Sequence, residues 1–356
     1  MRLCKTCNSA NGNRFESGDC CICGNALDKF EEFVRKADIK LGKGDLFSIS
    51  TYIPKKWLIN EEKVWDRHLS ESMKNYLNRK IISHIIKETG ADYSINAINK
   101  YIFDFKKMET SREIEPLFVF GRYRKLIPGI SQSRWFCKRC NGKGCNDCSD
   151  TGKNYVSIEE IVGEVFKKHS NCGEYYMHAS GREDVDVTNI AGRAFVLEMK
   201  GPKMHKLDLG RIRKEIVNGV EISDLRFVDR GCVELVSNSH FNKQYLATVE
   251  LDREFTEEDE KKIIELVGTV IGQRTPTRVA HRRADKIRKR KIIDLKVENQ
   301  NRNMFDIYIT AEAGTYIKEL ISGDGNKTKP NFSSLLGCKA ECKKLIVTKI
   351  WDEFLD

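Results

Sequence analysis

The sequence predicts an α+β protein with a mixed, mostly antiparallel sheet and a smaller α/β region in front of it. Two observations support this. First, 356 residues exceed one ordinary core, since a domain takes roughly 150 residues. Second, strand-like runs with a few inserted helices dominate the chain after residue 156, as in antiparallel α+β domains.

Composition narrows the class of protein. The chain is 40% apolar and 32% charged, which fits a globular protein and excludes disordered or collagen-like chains. No apolar run approaches the roughly 18 residues of a membrane helix, and the amino terminus lacks a secretory pattern. We therefore expect no membrane span and a cytoplasmic location. The net charge of +10 favours a polyanionic partner such as nucleic acid.

The region 31–156 is predicted to be a small α/β domain. A helix is expected between residues 66 and 90, because apolar residues recur at helical spacing and Gly90 supplies a stop. These apolar residues are Leu69, Met73, Leu77, Ile81 and Ile85. Strands are expected over 98–105 and 116–123.

The region 157–356 is predicted to be the larger, sheet-rich domain. It opens with an amphipathic helix after Ser157, and further helices are expected over 207–218 and 256–268. Thr256, with acidic residues at each of the next three positions, is a good helix start. Strands are expected over 175–179, 194–199, 231–237, 245–251, 292–297 and 305–311.

Eight cysteines form two groups at metal-ligand spacing. Residues 1–30 are predicted to be a zinc ribbon, because two Cys-x-x-Cys turns can complete a tetrahedron around one structural zinc ion. The ligands of this first group are Cys4, Cys7, Cys20 and Cys23. The second group is Cys137, Cys140, Cys145 and Cys148. Its short central spacer leaves open how the pairs share ions, and disulfides are the alternative for both groups.

A basic segment covers residues 274–296, where ten basic and two acidic residues give a net charge of +8. The alternative is a solvated face, but clustering on this scale favours binding to phosphates. The arginines expected to contact RNA are Arg278, Arg282, Arg283, Arg288 and Arg290.

The turn at residues 179–187 carries Arg182, Asp184 and Asp186. If this segment is extended, Asp184 and Asp186 share one face. On composition alone, a solvated salt-bridge cluster is the simpler interpretation. The string Ala-Ser-Gly-Arg-Glu-Asp-Val-Asp-Val, however, resembles the catalytic motif of pseudouridine synthases.

Further segments resemble the archaeal and eukaryotic branch of that superfamily, which acts on uridines 54 and 55 of the tRNA T-loop. They follow in the family's order: Lys-Gln-Tyr at 243–245, the basic segment from Gln273, and Ala-Gly-Thr-Tyr-Ile-Lys-Glu-Leu at 313–320. The ribbon, a basic domain resembling the RNA-binding THUMP module, and the second cysteine group also fit this branch. The resemblance implies a pseudouridine synthase whose partner is tRNA at its T-loop and elbow. We expect the protein to be a monomer.

The resemblance also implies residue roles. Asp184 would be the essential aspartate, as nucleophile or as base, without a cofactor for catalysis. Lys318 would be its ion-pair partner, with Arg182 as a second candidate. Tyr245 would stack on the everted base, Tyr316 would be a second aromatic of the pocket, and Leu320 would form its wall. The alternative function is a catalytically inactive zinc-ribbon RNA-binding protein.

Overall fold

The computed structural model describes residues 1–64, 70–95, 97–280 and 283–352. It divides into two compact units, Met1–Pro116 and Leu117–Asp356. The sequence predicts a domain boundary at 156/157. The strand starting at Leu117 pairs within the large sheet, and the second cysteine group also lies in the second compact unit. None of the described helices is long and apolar enough to span a bilayer.

The first unit combines a cysteine-rich segment with a four-stranded sheet in the order β4-β3-β5-β6. Its strands are β1 (Arg2–Leu3), β2 (Glu16–Ser17), β3 (Leu46–Tyr52), β4 (Asp92–Tyr93), β5 (Asn99–Asp104) and β6 (Glu109–Ile114). Its helices are α1 (Lys5–Ala10), α2 (Phe30–Arg35), α3 (Lys55–Glu62) and α4 (Met73–Thr89). In α4, all four predicted apolar positions from Met73 onward are buried, and Gly90 ends the helix in a left-handed conformation.

The second unit is built on a ten-stranded sheet. The strands of this unit are β7 (Leu117–Lys125), β8 (Trp135–Phe136), β9 (Lys153–Tyr155), β10 (Glu174–Ala179), β11 (Thr188–Lys200), β12 (Val220–Val228), β13 (Lys243–Leu251), β14 (Val270–Arg274), β15 (Ile287–Asn301), β16 (Met304–Ala311), β17 (Thr328–Lys329) and β18 (Ala340–Ile350). The short strands β8 and β9 pair with each other outside the large sheet. Its helices are α5 (Ile158–Ser170), α6 (Leu209–Glu215), α7 (Gly231–Ser237), α8 (Glu257–Ile264), α9 (Ile317–Ser322) and α10 (Phe332–Leu336).

The large sheet has the strand order β12-β7-β11-β18-β13-β16-β15-β14-β17, and β10 also pairs with β11. Its pairs are antiparallel except for β11 and β18, which run parallel over two residue pairs. The predicted α+β class with a mostly antiparallel sheet is confirmed. One core cluster lies along β13, β15, β16 and β18 with α8–α10, and another lies along β7, β11 and β12 with α5 and α6.

One strand prediction is wrong, because residues 231–237 form helix α7. Val236 is fully buried, and Cys232 and Val233 pack partly against the same cluster beside β7 and β11. Positions i, i+1 and i+4 share one face of a helix, so this short apolar run fits a helix as well as a strand.

The predicted start of α8 is confirmed as a capping box between Thr256 and Asp259. Arg253 holds the buried Asp259 carboxylate with two hydrogen bonds, at 2.6 and 2.7 Å. The Arg253 hydrogen bonds outweigh the effect of burial and lower the pKa of Asp259 from 3.8 to about 2.

This pair predicts an acid-sensitive contribution to stability. Because the folded-state pKa lies below the unfolded value, the contribution is complete above about pH 4 and is lost as the pH falls through 2. We expect Asp259→Asn to lower the free energy of unfolding by roughly 2 kcal/mol at pH 6, with a difference from the parent that shrinks towards pH 2. Urea unfolding across pH 2–6 measures this. Glu258→Gln, which alters an exposed pair with Lys262 on the same helix, is the control. A difference independent of pH would contradict the prediction.

Candidate active site

A cavity of about 580 Å³ opens on the second unit and is large enough for a small-molecule group. It collects most of the predicted site residues. Those lining it are Arg182, Asp184, Tyr245, Arg278, Arg283, Arg288, Arg290, Tyr316 and Lys318.

Asp184 lies on a turn between β10 and β11, and neighbouring side chains hold the backbone of this turn in place. Gly181 starts the turn with a φ of +75°, which favours glycine. Its carbonyl accepts a hydrogen bond from Gln132 at 2.6 Å. Under the turn, Arg193 pairs with Glu183 at 2.8 Å, and both side chains are 2% exposed. Arg193 also donates to the Ser180 carbonyl, so the turn is anchored on both sides of Gly181.

Lys125 at the end of β7 holds the backbone of the same turn. Its fully buried ammonium donates to the carbonyls of Ile130, Asp184 and Val185 at 2.7, 2.9 and 2.8 Å. Burial lowers the pKa of Lys125 to about 8 despite the nearby carboxylates. Lys125 therefore positions the Asp184 backbone, a role that sequence reasoning missed.

The sheet brings Tyr245 to the Asp184 turn. In β18, Val347 pairs with Asn189 of β11 on one side and with Tyr245 of β13 on the other. Tyr245 is on the same face of β13 as the buried Ala247 and Val249, as the two-residue period requires. Burial raises the pKa of Tyr245 to about 12, so its hydroxyl is protonated at neutral pH.

Asp184 has a different cation partner from the one predicted. Arg278 donates to Oδ2 of Asp184, whereas Lys318 donates to Asp186 at 2.7 and 2.5 Å. The predicted pair of Asp184 and Lys318 is therefore corrected. Arg278 was expected to contact RNA. It lines the cavity and pairs with Asp184, because it lies on the short helical turn at 277–279 next to this carboxylate.

Arg278 is shared with a second carboxylate that sequence reasoning did not single out. Its Nε and Nη2 donate to Glu319 at 2.6 and 3.2 Å. Burial lowers the pKa of Arg278, but Glu319 and Asp184 outweigh it and raise the pKa above its ordinary value. Burial also raises the pKa of Asp186, and its hydrogen bond and charge interaction with Lys318 outweigh that, so the net pKa is lowered.

The motif at 313–320 and the segment from Gln273 interlock. The fully buried Gln273 amide accepts from the Tyr316 N–H at 2.8 Å and donates to the Tyr316 carbonyl at 2.9 Å. The Arg278 guanidinium lies 5.9 Å from the centre of the Tyr316 ring. Two motifs that are distant in sequence thereby fix one wall of the cavity.

The basic segment forms part of the cavity rim. Arg288 and Arg290 line the cavity from the same face of β15, and Arg283 lines it from the preceding loop. Arg182 is exposed there, on the Asp184 turn. Arg282, also predicted to contact RNA, lies outside the described residues.

Leu320 does not line the cavity. It lies in α9 and is fully buried in the core cluster together with Ile321. The apolar wall is instead formed by Val187, Ile317, Leu345 and Val347. The alternation of buried residues along β18 is a general sign of a strand, so it could not identify Leu345 as a wall residue.

Both cysteine groups can hold a metal ion. In each group the four sulfur atoms lie within 4.8 Å of one another, and all described cysteines are free thiols. In the first group all four cysteines are buried, and the Sγ of Cys23 lies 3.5–3.6 Å from the other three. Four thiols converging on one point are the ligand set of structural zinc.

A family model described as "Pus10, C-terminal" matches residues 118–351, which is more than half of the chain. The chain belongs to the Pus10 family. This confirms the family predicted from the motifs. The matched residues include Asp184, Tyr245, Arg278 and the motif at 313–320.

Two archaeal relatives named tRNA pseudouridine synthase Pus10 illustrate the extent of the similarity. The Archaeoglobus fulgidus protein is 32% identical over 98% of this chain and all of its own length. The Methanocaldococcus jannaschii protein is 44% identical over 68% of this chain, and that match spans 55% of the relative. A solved Cbf5-Nop10-Gar1 complex contains a chain with 17% identity and a TM-score of 0.35, covering 64% of this chain and 48% of that one. The assignment to the Pus10 family rests on the sequence matches.

Proposed function

We propose that this protein is a tRNA pseudouridine synthase that isomerises uridines 54 and 55 in the T-loop, with Asp184 as the essential carboxylate. The observation that carries the proposal is that Asp184, Tyr245, Arg278 and Lys318 line one cavity, where Arg278 pairs with Asp184 and Lys318 pairs with the adjacent Asp186. Family membership supports the reaction class. The names of the relatives support tRNA as the substrate.

The reaction needs no external oxidant or reductant. The bond between N1 of uracil and C1′ of the ribose breaks, a bond from C5 to C1′ forms, C5 loses a proton and N1 gains one. Asp184 acts at the sugar, either as nucleophile at C1′ or as base. Its side chain is 27% exposed, so it is accessible from the cavity, and Arg278 stabilises the carboxylate by a charge-assisted hydrogen bond.

Tyr245 keeps the detached uracil in place while the base turns. Stacking on an aromatic ring contributes about 1–3 kcal/mol per base and resists in-plane rotation little. Its protonated hydroxyl can donate a hydrogen bond. Tyr316 is proposed as the second aromatic residue, and Leu345 is part of the aliphatic wall.

The arginines at the rim are proposed to bind phosphates of a splayed loop, since a base within a duplex cannot reach such a cavity. We further propose that the protein acts as a monomer. The region 31–156 is proposed to be the THUMP-like RNA-binding part, which the small sheet of β3–β6 within it supports.

The alternative is an RNA-binding protein without catalysis. A binder has no need of a buried lysine and a buried Arg–Glu pair that fix the turn beneath Asp184. Pseudouridine mapping on an unmodified tRNA transcript incubated with the purified protein, without added cofactor, decides between the two.

Asp184→Asn tests the essential carboxylate. We expect tRNA affinity within about twofold of the parent and no pseudouridine, because the amide is neither a nucleophile nor a base. The measurements are tRNA binding and pseudouridine mapping. Asp259→Asn, which alters a buried carboxylate outside the cavity lining, is the control and should retain turnover. Pseudouridine made by purified Asp184→Asn would refute the assignment.

Charge reversal at the rim tests the RNA contacts. For Arg283, Arg288 and Arg290 changed to Glu together, we expect weaker tRNA binding. The slope of log K against log salt should become shallower by about 0.7 for each lost phosphate contact. Reversal of the exposed Lys339, Lys344 and Lys349 is the control for net charge. An unchanged slope in the rim variant would mean that these arginines are only solvated.

We propose structural zinc in the cysteine groups and expect one or two zinc ions per chain by elemental analysis. If each group holds its own ion, Cys7→Ser and Cys148→Ser should each lower the zinc content by about one ion, because a tetrahedral site loses a ligand. Cys21→Ser alters an exposed cysteine next to the first group and should have no effect. If the purified protein contains no zinc, the proposal of zinc in both cysteine groups is refuted.

A further inference from the structure

Arg278 lies between two carboxylates that come from different segments. Its Nη1 donates to Asp184, while its Nε and Nη2 hold both oxygens of Glu319. The Glu319 side chain is 6% exposed, compared with 35% for Arg278 and 27% for Asp184. Glu319 is therefore the inner anchor, and Asp184 is the end that faces the cavity.

The position of Glu319 is itself well fixed. It lies in the first turn of α9, whose Ile317, Leu320 and Ile321 are buried in the core. Gln273 holds the backbone of Tyr316, the residue that caps this helix. Because α9 is held in place in this way, the Glu319 carboxylate can fix the orientation of the guanidinium that it binds.

We infer that Glu319 is a positioning residue for catalysis, acting through Arg278. Its two hydrogen bonds set the plane of the guanidinium so that Nη1 points at Asp184. This inference rests on the proposed role of Asp184. Two hydrogen bonds to one edge of a guanidinium fix its orientation, which a single bond or a lysine does not.

The first test is Glu319→Gln, which keeps the size of the side chain and removes its charge. We expect the single-turnover rate of pseudouridine formation to fall by about 10- to 100-fold, since small misplacements of a catalytic group have effects of this size. The tRNA dissociation constant should stay within about twofold, because Glu319 is buried. An unchanged rate, or a loss explained by weaker tRNA binding, would overturn the inference.

A double-mutant cycle separates positioning through Arg278 from a merely structural role. Arg278→Lys keeps the positive charge but cannot form the two-pronged contact. In that background Glu319→Gln should change the rate by less than threefold, because its route to Asp184 is already broken. Fully additive effects would overturn the inference. If Glu319→Gln does not fold, Glu319→Asp is put through the same cycle, since its shorter side chain cannot hold both Nε and Nη2.

Two controls accompany the cycle. Asp259→Asn removes a matched buried carboxylate with two bonds to Arg253, and it should lower stability without changing the single-turnover rate. Asp184→Asn, measured in parallel, separates the two proposals. Turnover in Asp184→Asn would refute the role of Asp184 and with it this inference. Loss of turnover there with a parental rate for Glu319→Gln would refute only the inference.

Discussion

A parallel contact of only two residue pairs, between β11 and β18, determines where the site lies. Thr188 and Asn189 pair with Ile346 and Val347, directly after the turn that carries Asp184. Because β18 continues into antiparallel pairing with β13, the same Val347 places Tyr245 opposite that turn. The two core clusters of the large sheet flank this contact, so the carboxylate and the aromatic ring meet where two differently packed regions join.

Buried charge fixes the turn at this junction. Lys125 and Arg193 are almost fully buried, and their partners are the carbonyls of the turn and the Glu183 carboxylate. Buried ion pairs add little net stability compared with apolar packing, but removal of one partner costs about 3–5 kcal/mol. The role of these buried charges is therefore to hold the Asp184 turn in a single backbone conformation, and not to increase the stability of the fold.

Sequence reasoning located the parts of the site that depend on local pattern. The family motif at 243–245 pointed to Tyr245, which lines the cavity, and the spacing of the cysteines predicted both four-thiol groups. It failed where geometry depends on the meeting of distant segments. Arg278 and Lys318 are both cations in motifs, and only the folded chain shows that the first pairs with Asp184 and the second with Asp186.

The other failures have a similar cause. Leu320 and Tyr316 share a motif, but Tyr316 precedes α9 and lines the cavity, Leu320 packs in the core from within the helix, and Leu345 reaches the cavity from β18. The run at 231–237 fits a strand or a helix by composition, and the apolar surface beside β7 and β11 selects the helix. Pairing across a sheet and the choice of helix face are long-range properties that a single sequence does not specify.

The distribution of charge in the cavity suits an anionic polymer with one reacting sugar. Next to the Asp184 turn, Arg278 pairs with Asp184 and Glu319, and Lys318 pairs with Asp186. At the rim, Arg182, Arg283, Arg288 and Arg290 supply positive charge. In the proposed function, the arginines attract phosphates and the Asp184 carboxylate acts at the sugar. A positive surface alone would bind RNA, whereas the proposed cleavage of the glycosidic bond also needs a carboxylate that is held in place among these cations.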